Sequence, residues 1–130
     1  MLGLVLTSLG FLVPTVLAFR NHRKRMGVAC SILTITSTLF HSTYHPVAKA
    51  IDVSYVYCIA TYYIHKSIWN LIQRKRWRDL YVHVGSLGCV ALYFQRCNHP
   101  DVPQYLQKRF HMLFHIAAQT LFSMHALDKK

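Results

Sequence analysis

Long apolar runs alternate with short basic clusters along the chain. Residues 2–19 and 27–44 contain no Lys, Arg, Asp or Glu, and each run is close to the ~20 residues that an α-helix needs to cross a bilayer. Three further apolar runs follow: 50–69, which carries Asp52 and Lys66, 80–95, which is shorter, and 110–127, which is uncharged apart from its histidines. The pattern predicts an all-α fold, a polytopic transmembrane helix bundle of about five spans, with residues 1–130 forming a single transmembrane domain.

The charge of the chain is concentrated between these runs. Hydrophobic residues make up 53% of the sequence, and 15 Lys and Arg oppose 4 acidic residues, for a formal net charge of +11. The bases gather at 20–25 (RNHRKR) and 74–78 (RKRWR), between uncharged segments. That distribution is typical of loops beside a bilayer, so we expect a membrane and no nucleic acid as the partner.

The loop charges also predict an orientation. One side of the predicted bundle carries ten bases: Arg20, Arg23, Lys24, Arg25, Arg74, Lys75, Arg76, Arg78, Lys129 and Lys130. The other side carries four: Lys49, Arg96, Lys108 and Arg109. Basic loops stay cytosolic, which predicts a lumenal or extracellular N-terminus and a cytosolic C-terminus, in an endomembrane (ER or Golgi) or the plasma membrane.

Two features near the predicted spans have ordinary interpretations. Residues 2–19 resemble a cleaved signal peptide in length, but they lack a basic n-region and a clear cleavage site, and Pro14 interrupts them, which favours a retained helix. The cysteines form no CxxC pair, and we interpret them as small apolar packing residues: Cys30, Cys58, Cys89 and Cys97.

Polar residues of three predicted spans fall at one depth. Ser37 and His41 lie toward the outer end of the second span, and Asp52 is expected in the first turn of the third. The fifth span begins on the same side, with His111 and His115 expected in its first two turns. If the protein had the opposite orientation, these residues would lie near the other face of the membrane but would still share one depth.

The spacing of these residues indicates metal chemistry. Ser37 with His41, and His111 with His115, are i, i+4 pairs, which share one helix face. Three imidazoles from two helices supply three corners of a catalytic zinc tetrahedron and leave the fourth for water. The plainer alternatives are hydrogen bonds between helices for the histidines, with His45 as an extra polar neighbour, and an ion pair with Lys49 or a lumenal Arg for Asp52.

These motifs resemble the CREST superfamily of membrane hydrolases, which includes alkaline ceramidases, adiponectin and progestin receptors and hemolysin-III-like proteins. The matching segments are STLFH at 37–41, AIDVSYVY at 50–57 and HMLFH at 111–115. The resemblance implies that His41, His111 and His115 bind Zn²⁺ and that Ser37 and Asp52 flank the attacking water. It also implies hydrolysis of an amide or ester in a ceramide-like membrane lipid.

The chain departs from the CREST pattern in length. That family has seven helices, and this sequence has one span where the family has three between the Asp helix and the HxxxH helix. A homo-oligomer is therefore an alternative to an active single chain. Two other functions stay open: a receptor or scaffold that keeps zinc without turnover, and a small basic membrane protein whose histidines never meet.

Overall fold

The computed structural model describes residues 2–75, 78–97 and 99–127. These residues are helical throughout, with short connections and no β-strand, which confirms the all-α prediction. The helices are α1 Leu2–Leu9, α2 Leu12–Arg20, α3 Lys24–Thr43, α4 Pro46–Arg74, α5 Arg78–Leu92, a π-helical turn Tyr93–Cys97, and α6 Gln104–Leu127. Arg76, Lys129 and Lys130, three of the bases counted for orientation, lie outside the described residues.

The first predicted span is broken in the middle. The break falls between α1 and α2, at Gly10 and Phe11, where Phe11 N–H donates to the Ser8 carbonyl in a tightened turn. Pro14 explains the position, because it lacks an N–H and its ring excludes the carbonyl four residues earlier, which belongs to Gly10. The interruption expected from Pro14 is therefore present, but it lies one turn before the proline.

A tight corner joins α3 to α4. Tyr44 adopts a left-handed conformation with φ of 52° and closes α3 through its N–H, which donates to the Phe40 carbonyl. His45 then caps α4, accepting from Val47 N–H at 3.2 Å, and Pro46 occupies the first turn, where a missing N–H costs nothing. His45 is thus a helix cap on the surface.

The later helices extend beyond the apolar runs that predicted them. Because α4 starts at Pro46 and α6 at Gln104, Asp52 lies in the second turn of its helix and His111 and His115 in the third and fourth. The helical turns predicted for Asp52, His111 and His115 were therefore wrong. The apolar runs end at charged residues, but the helices continue through those residues. The shared depth is unaffected, because both helices gain their extra turns at the same end.

The helices pack around α3 and α6. Helix α3 contacts α1, α2 and α4, while α6 contacts α1, α2, α5 and the π-helical turn. One apolar core joins Phe11 with side chains of α2, α3, α4 and α6, among them Leu33 and Ile59. A smaller core holds Cys89, Cys97 and Phe114. Cys30 is also buried, whereas Cys58 is exposed, so the packing role predicted for the cysteines fails at that position.

Helix α3 turns its polar face inward. Its buried side chains include Cys30, Thr34, Ser37 and His41, which recur at helical spacing, while Val28, Ile32, Ile35 and Leu39 are exposed on the other side. Large apolar residues are exposed on α4 and α6 as well. Among the described residues, the stretch Leu2–Arg20 alone is long and apolar enough to cross a membrane by length and composition.

Candidate metal centre

Three histidines from two helices meet at one point. The ring centroid of His41 on α3 lies 4.9 Å from that of His111 and 5.1 Å from that of His115, both on α6, and the latter two centroids are 4.8 Å apart. Their candidate ligand nitrogens all lie within 4.8 Å of one another. This group could hold a metal ion, and the convergence predicted from the spacing is confirmed.

The surroundings of His41 fit a metal ligand. The side chain is 1% exposed, and neither ring nitrogen has a hydrogen-bond partner. A buried imidazole without partners loses its hydration and gains nothing in return, which costs about 1 to 3 kcal/mol. A cation bound by the three histidines would accept one of these nitrogens as a ligand. Three neutral imidazoles are a donor set that suits zinc among other transition metals.

Each histidine also has an aromatic neighbour. Phe40 lies beside His41 with ring centroids 4.5 Å apart, Phe11 lies 5.7 Å from His115, and Tyr93 of the π-helical turn lies 6.0 Å from His111. Phe40 belongs to α3 like His41, Phe11 lies in the break between α1 and α2, and Tyr93 lies in the π-helical turn. They limit the access of water to the centre and hold the orientation of the three side chains.

Asp52 and Ser37 line one cavity together with His111 and His115, and each has a hydroxyl partner. Thr36 Oγ1 donates to Asp52 Oδ1 at 2.9 Å across the α3–α4 contact, and Asp52 is 5% exposed. Ser37 Oγ lies 3.1 Å from Ser8 Oγ on α1. Within the described parts of the chain, no Lys or Arg forms an ion pair with Asp52, so the expected alternative of a partner such as Lys49 is not what is found.

A long apolar cavity runs away from the centre. Its lining includes Ser37, Asp52, His111 and His115 at one end and Tyr63 and His125 at the other. From His111 to His125 along α6 is about 21 Å at the helical rise of 1.5 Å per residue. The cavity volume is about 110 Å³, several times the roughly 10 to 15 Å³ that one buried water requires. Its walls between the two ends are almost entirely hydrocarbon and aromatic.

The sequence pattern missed four residues at or near this site. Thr7, Ser8 and Thr36 hydrogen-bond to His115, Ser37 and Asp52, and His125 is buried and lines the cavity. The hydroxyl residues are ordinary within apolar helices, so no sequence signal separates them from other Ser and Thr. Only the helix packing brings them to the centre.

No protein-family model matches the chain, and neither curated proteins nor solved structures offer a match.

Proposed function

We propose that this protein is a zinc-dependent membrane hydrolase that cleaves an amide or ester bond of a lipid. The observation that carries the proposal is that His111 and His115 of the three-histidine group line an apolar cavity together with Asp52 and Ser37. A ligand set, a carboxylate and a hydroxyl at the end of a hydrocarbon-lined cavity suit the cleavage of a polar bond next to an acyl chain.

The polarity of the helices supports a multi-span membrane bundle. In a soluble helix the aliphatic stripe faces the core, but α3 buries Ser37 and His41 and exposes Ile35 and Leu39. Membrane helices associate through small and polar residues and present aliphatic side chains to lipid. The same inversion, together with basic loops beside apolar segments, supports further spans in addition to Leu2–Arg20.

The three histidines would hold the zinc, which when bound supplies Lewis acidity that polarises a carbonyl and makes a water more acidic. Asp52 would take the proton of the attacking water and return it to the leaving amine or alkoxide as general base and then general acid. Thr36 holds one carboxylate oxygen of Asp52 and leaves the other for this transfer. Ser37 would fix the position of the water through a hydrogen bond.

The cavity favours a substrate with one long acyl chain. A chain lying between α4 and α6 would place its carbonyl beside His111 and His115 and its methyl end toward Tyr63 and His125. Hydrocarbon walls give affinity without recognising a headgroup. Ceramide-like amides and lysolipids are therefore the substrates to test first.

Zinc content and lipid turnover measured on the same purified protein test the proposal. Stoichiometric zinc with release of fatty acid supports it. Zinc without turnover on any lipid of the panel would instead indicate a receptor or scaffold, and protein without zinc would indicate a small basic membrane protein whose histidines are structural.

A further inference from the structure

Helix α1 contributes two hydroxyl groups to the centre. Thr7 Oγ1 lies 3.0 Å from Nδ1 of His115, and Ser8 Oγ lies 3.1 Å from Ser37 Oγ. Ser8 is fully buried. Neighbouring residues of one short helix thus contact a metal-ligand candidate and a catalytic candidate, on helices that are distant from α1 in the chain.

A single carbonyl group fixes the direction of both hydroxyls. Thr7 Oγ1 donates to the Leu4 carbonyl at 3.1 Å, and Ser8 Oγ donates to the same oxygen at 2.8 Å. A hydroxyl has one hydrogen and two lone pairs, and a carbonyl can only accept. With their hydrogens directed to Leu4, Thr7 and Ser8 offer lone pairs to His115 and Ser37.

This direction sets the tautomer of His115. Since Thr7 Oγ1 accepts, Nδ1 of His115 carries the hydrogen and donates it, which leaves the lone pair of a neutral ring on Nε2. A histidine that binds a metal through one nitrogen commonly donates a hydrogen bond from the other, and that partner fixes both tautomer and ring orientation. Thr7 has the position and polarity of such a partner.

The same reasoning chooses between two roles for Ser37. Because Ser8 donates to the Leu4 carbonyl, Ser8 accepts from Ser37, which leaves the remaining lone pair of Ser37 as an acceptor. An acceptor holds a hydrogen of the attacking water, whereas stabilising an oxyanion needs a donor. Ser37 therefore orients the water.

Helix α6 holds Thr7 at a second point. Gln119, one turn after His115, donates from Nε2 to the Thr7 carbonyl. The amide side chain of Gln119 lies against Gly10, where a Cβ atom would collide with it. Because Gly10 has no side chain in the break after α1, two residues of α6 can hydrogen-bond to Thr7: Gln119 to its carbonyl and His115 to its hydroxyl.

We propose that Thr7 and Ser8 are positioning residues of the centre: Thr7 fixes His115 for metal binding through Nε2, and Ser8 sets Ser37 as an acceptor for the attacking water. The inference rests on the proposed metal site. It gives α1 a positioning role in the centre, which the histidine, serine and aspartate motifs do not indicate.

The test for Thr7 is zinc affinity measured by competition with a chelator in the purified full-length protein. Thr7→Val keeps the branched shape and removes the hydroxyl, and we expect it to weaken zinc binding about 10- to 100-fold. Thr7→Ser should restore most of the affinity, which a purely structural defect would not allow. The matched control is Thr34→Val, because Thr34 is the same residue type in another helix and its hydroxyl donates to the Cys30 carbonyl of its own helix.

Ser8→Ala tests the second half of the proposal. It should leave zinc affinity unchanged and lower kcat about tenfold with KM unchanged, because the substrate cavity is intact while Ser37 loses its fixed direction. If Thr7→Val binds zinc as tightly as Thr34→Val, the role proposed for Thr7 is wrong. If kcat is unchanged in Ser8→Ala, the role proposed for Ser8 is wrong. His111→Ala distinguishes failure of the positioning role from failure of the metal site: if it too retains zinc, the proposed metal site itself is wrong.

Discussion

His41 and His111 lie edge to face with their ring centroids 4.9 Å apart, although they are 70 positions apart in the sequence. The contact joins α3 to α6 at the level where α4 supplies Asp52. Nothing in the backbone hydrogen bonding requires it, because each helix satisfies its own carbonyl and N–H groups. A shared ligand for the imidazoles gives a reason for this placement of buried polar side chains.

Removal of one histidine tests the metal centre. With three protein ligands, His111→Ala should weaken zinc binding by more than about 100-fold, since even changes to groups behind the ligands cost 10- to 100-fold. Chelator competition and elemental analysis give the measurement. His125→Ala is the matched control, because His125 is buried on the same helix but lies about 21 Å further along it. Equal zinc in the two variants would exclude the proposed coordination.

Asp52→Asn separates catalysis from metal binding. Asparagine keeps the shape and can still accept the hydrogen bond from Thr36, but it cannot take up a proton. The variant should keep its zinc and lose ~10²-fold or more in hydrolysis, the scale for deleting a general base. The assay is fatty acid release from ceramides and lysolipids in detergent. Asp101→Asn, a change at an exposed loop carboxylate, serves as the control, and full activity of Asp52→Asn would contradict the mechanism.

The hydrogen bond from Thr36 to Asp52 should tune the same step. Thr36→Val removes the donor at 2.9 Å without changing the branching of the side chain, so the carboxylate loses its fixed orientation. We expect kcat to fall about tenfold, between the wild type and Asp52→Asn, with zinc retained. Thr34→Val, two positions earlier on α3, should leave kcat unchanged. A kcat for Thr36→Val that matches this control would show that Thr36 does not position the base.

The length of the cavity predicts a selectivity for acyl chains. Ala118 lines the wall between His115 and His125, and Ala118→Leu would narrow the cavity past the metal centre. Hydrolysis of long-chain substrates should fall at least about tenfold while short-chain substrates keep most of their rate, because only the long chain needs the far end. Equal losses on both substrates would indicate damage to the centre instead.

The loop before α6 reports the orientation of the protein. A reporter inserted at Asp101 should be lumenal or extracellular and one fused after Lys130 cytosolic, because the more basic loops stay inside. Glycosylation of the first and proteolysis of the second in sealed vesicles provide the measurement. The reverse result would turn the centre toward the cytosol, and both reporters on one side would contradict a membrane-spanning α6.

The sequence by itself determined which segments are helical and which residues could bind a metal. Apolar runs between basic clusters predict helices without any knowledge of packing, and i, i+4 spacing puts Ser37 beside His41 and His111 beside His115 because helix geometry is local. Helix ends were less predictable, since α4 and α6 continue through charged residues that end an apolar run.

Tertiary structure alone decided what surrounds those ligands. Thr7, Ser8 and Thr36 look like ordinary hydroxyl residues in the sequence, and their contacts with His115, Ser37 and Asp52 exist only because α1, α3, α4 and α6 pack at one depth. The hydrogen bond from Gln119 to the Thr7 carbonyl and the contact of Gln119 with Gly10 depend on the same packing. Local patterns specify which face of a helix is polar. The partners of that face, and the direction of each hydrogen bond to them, follow from contacts between distant segments.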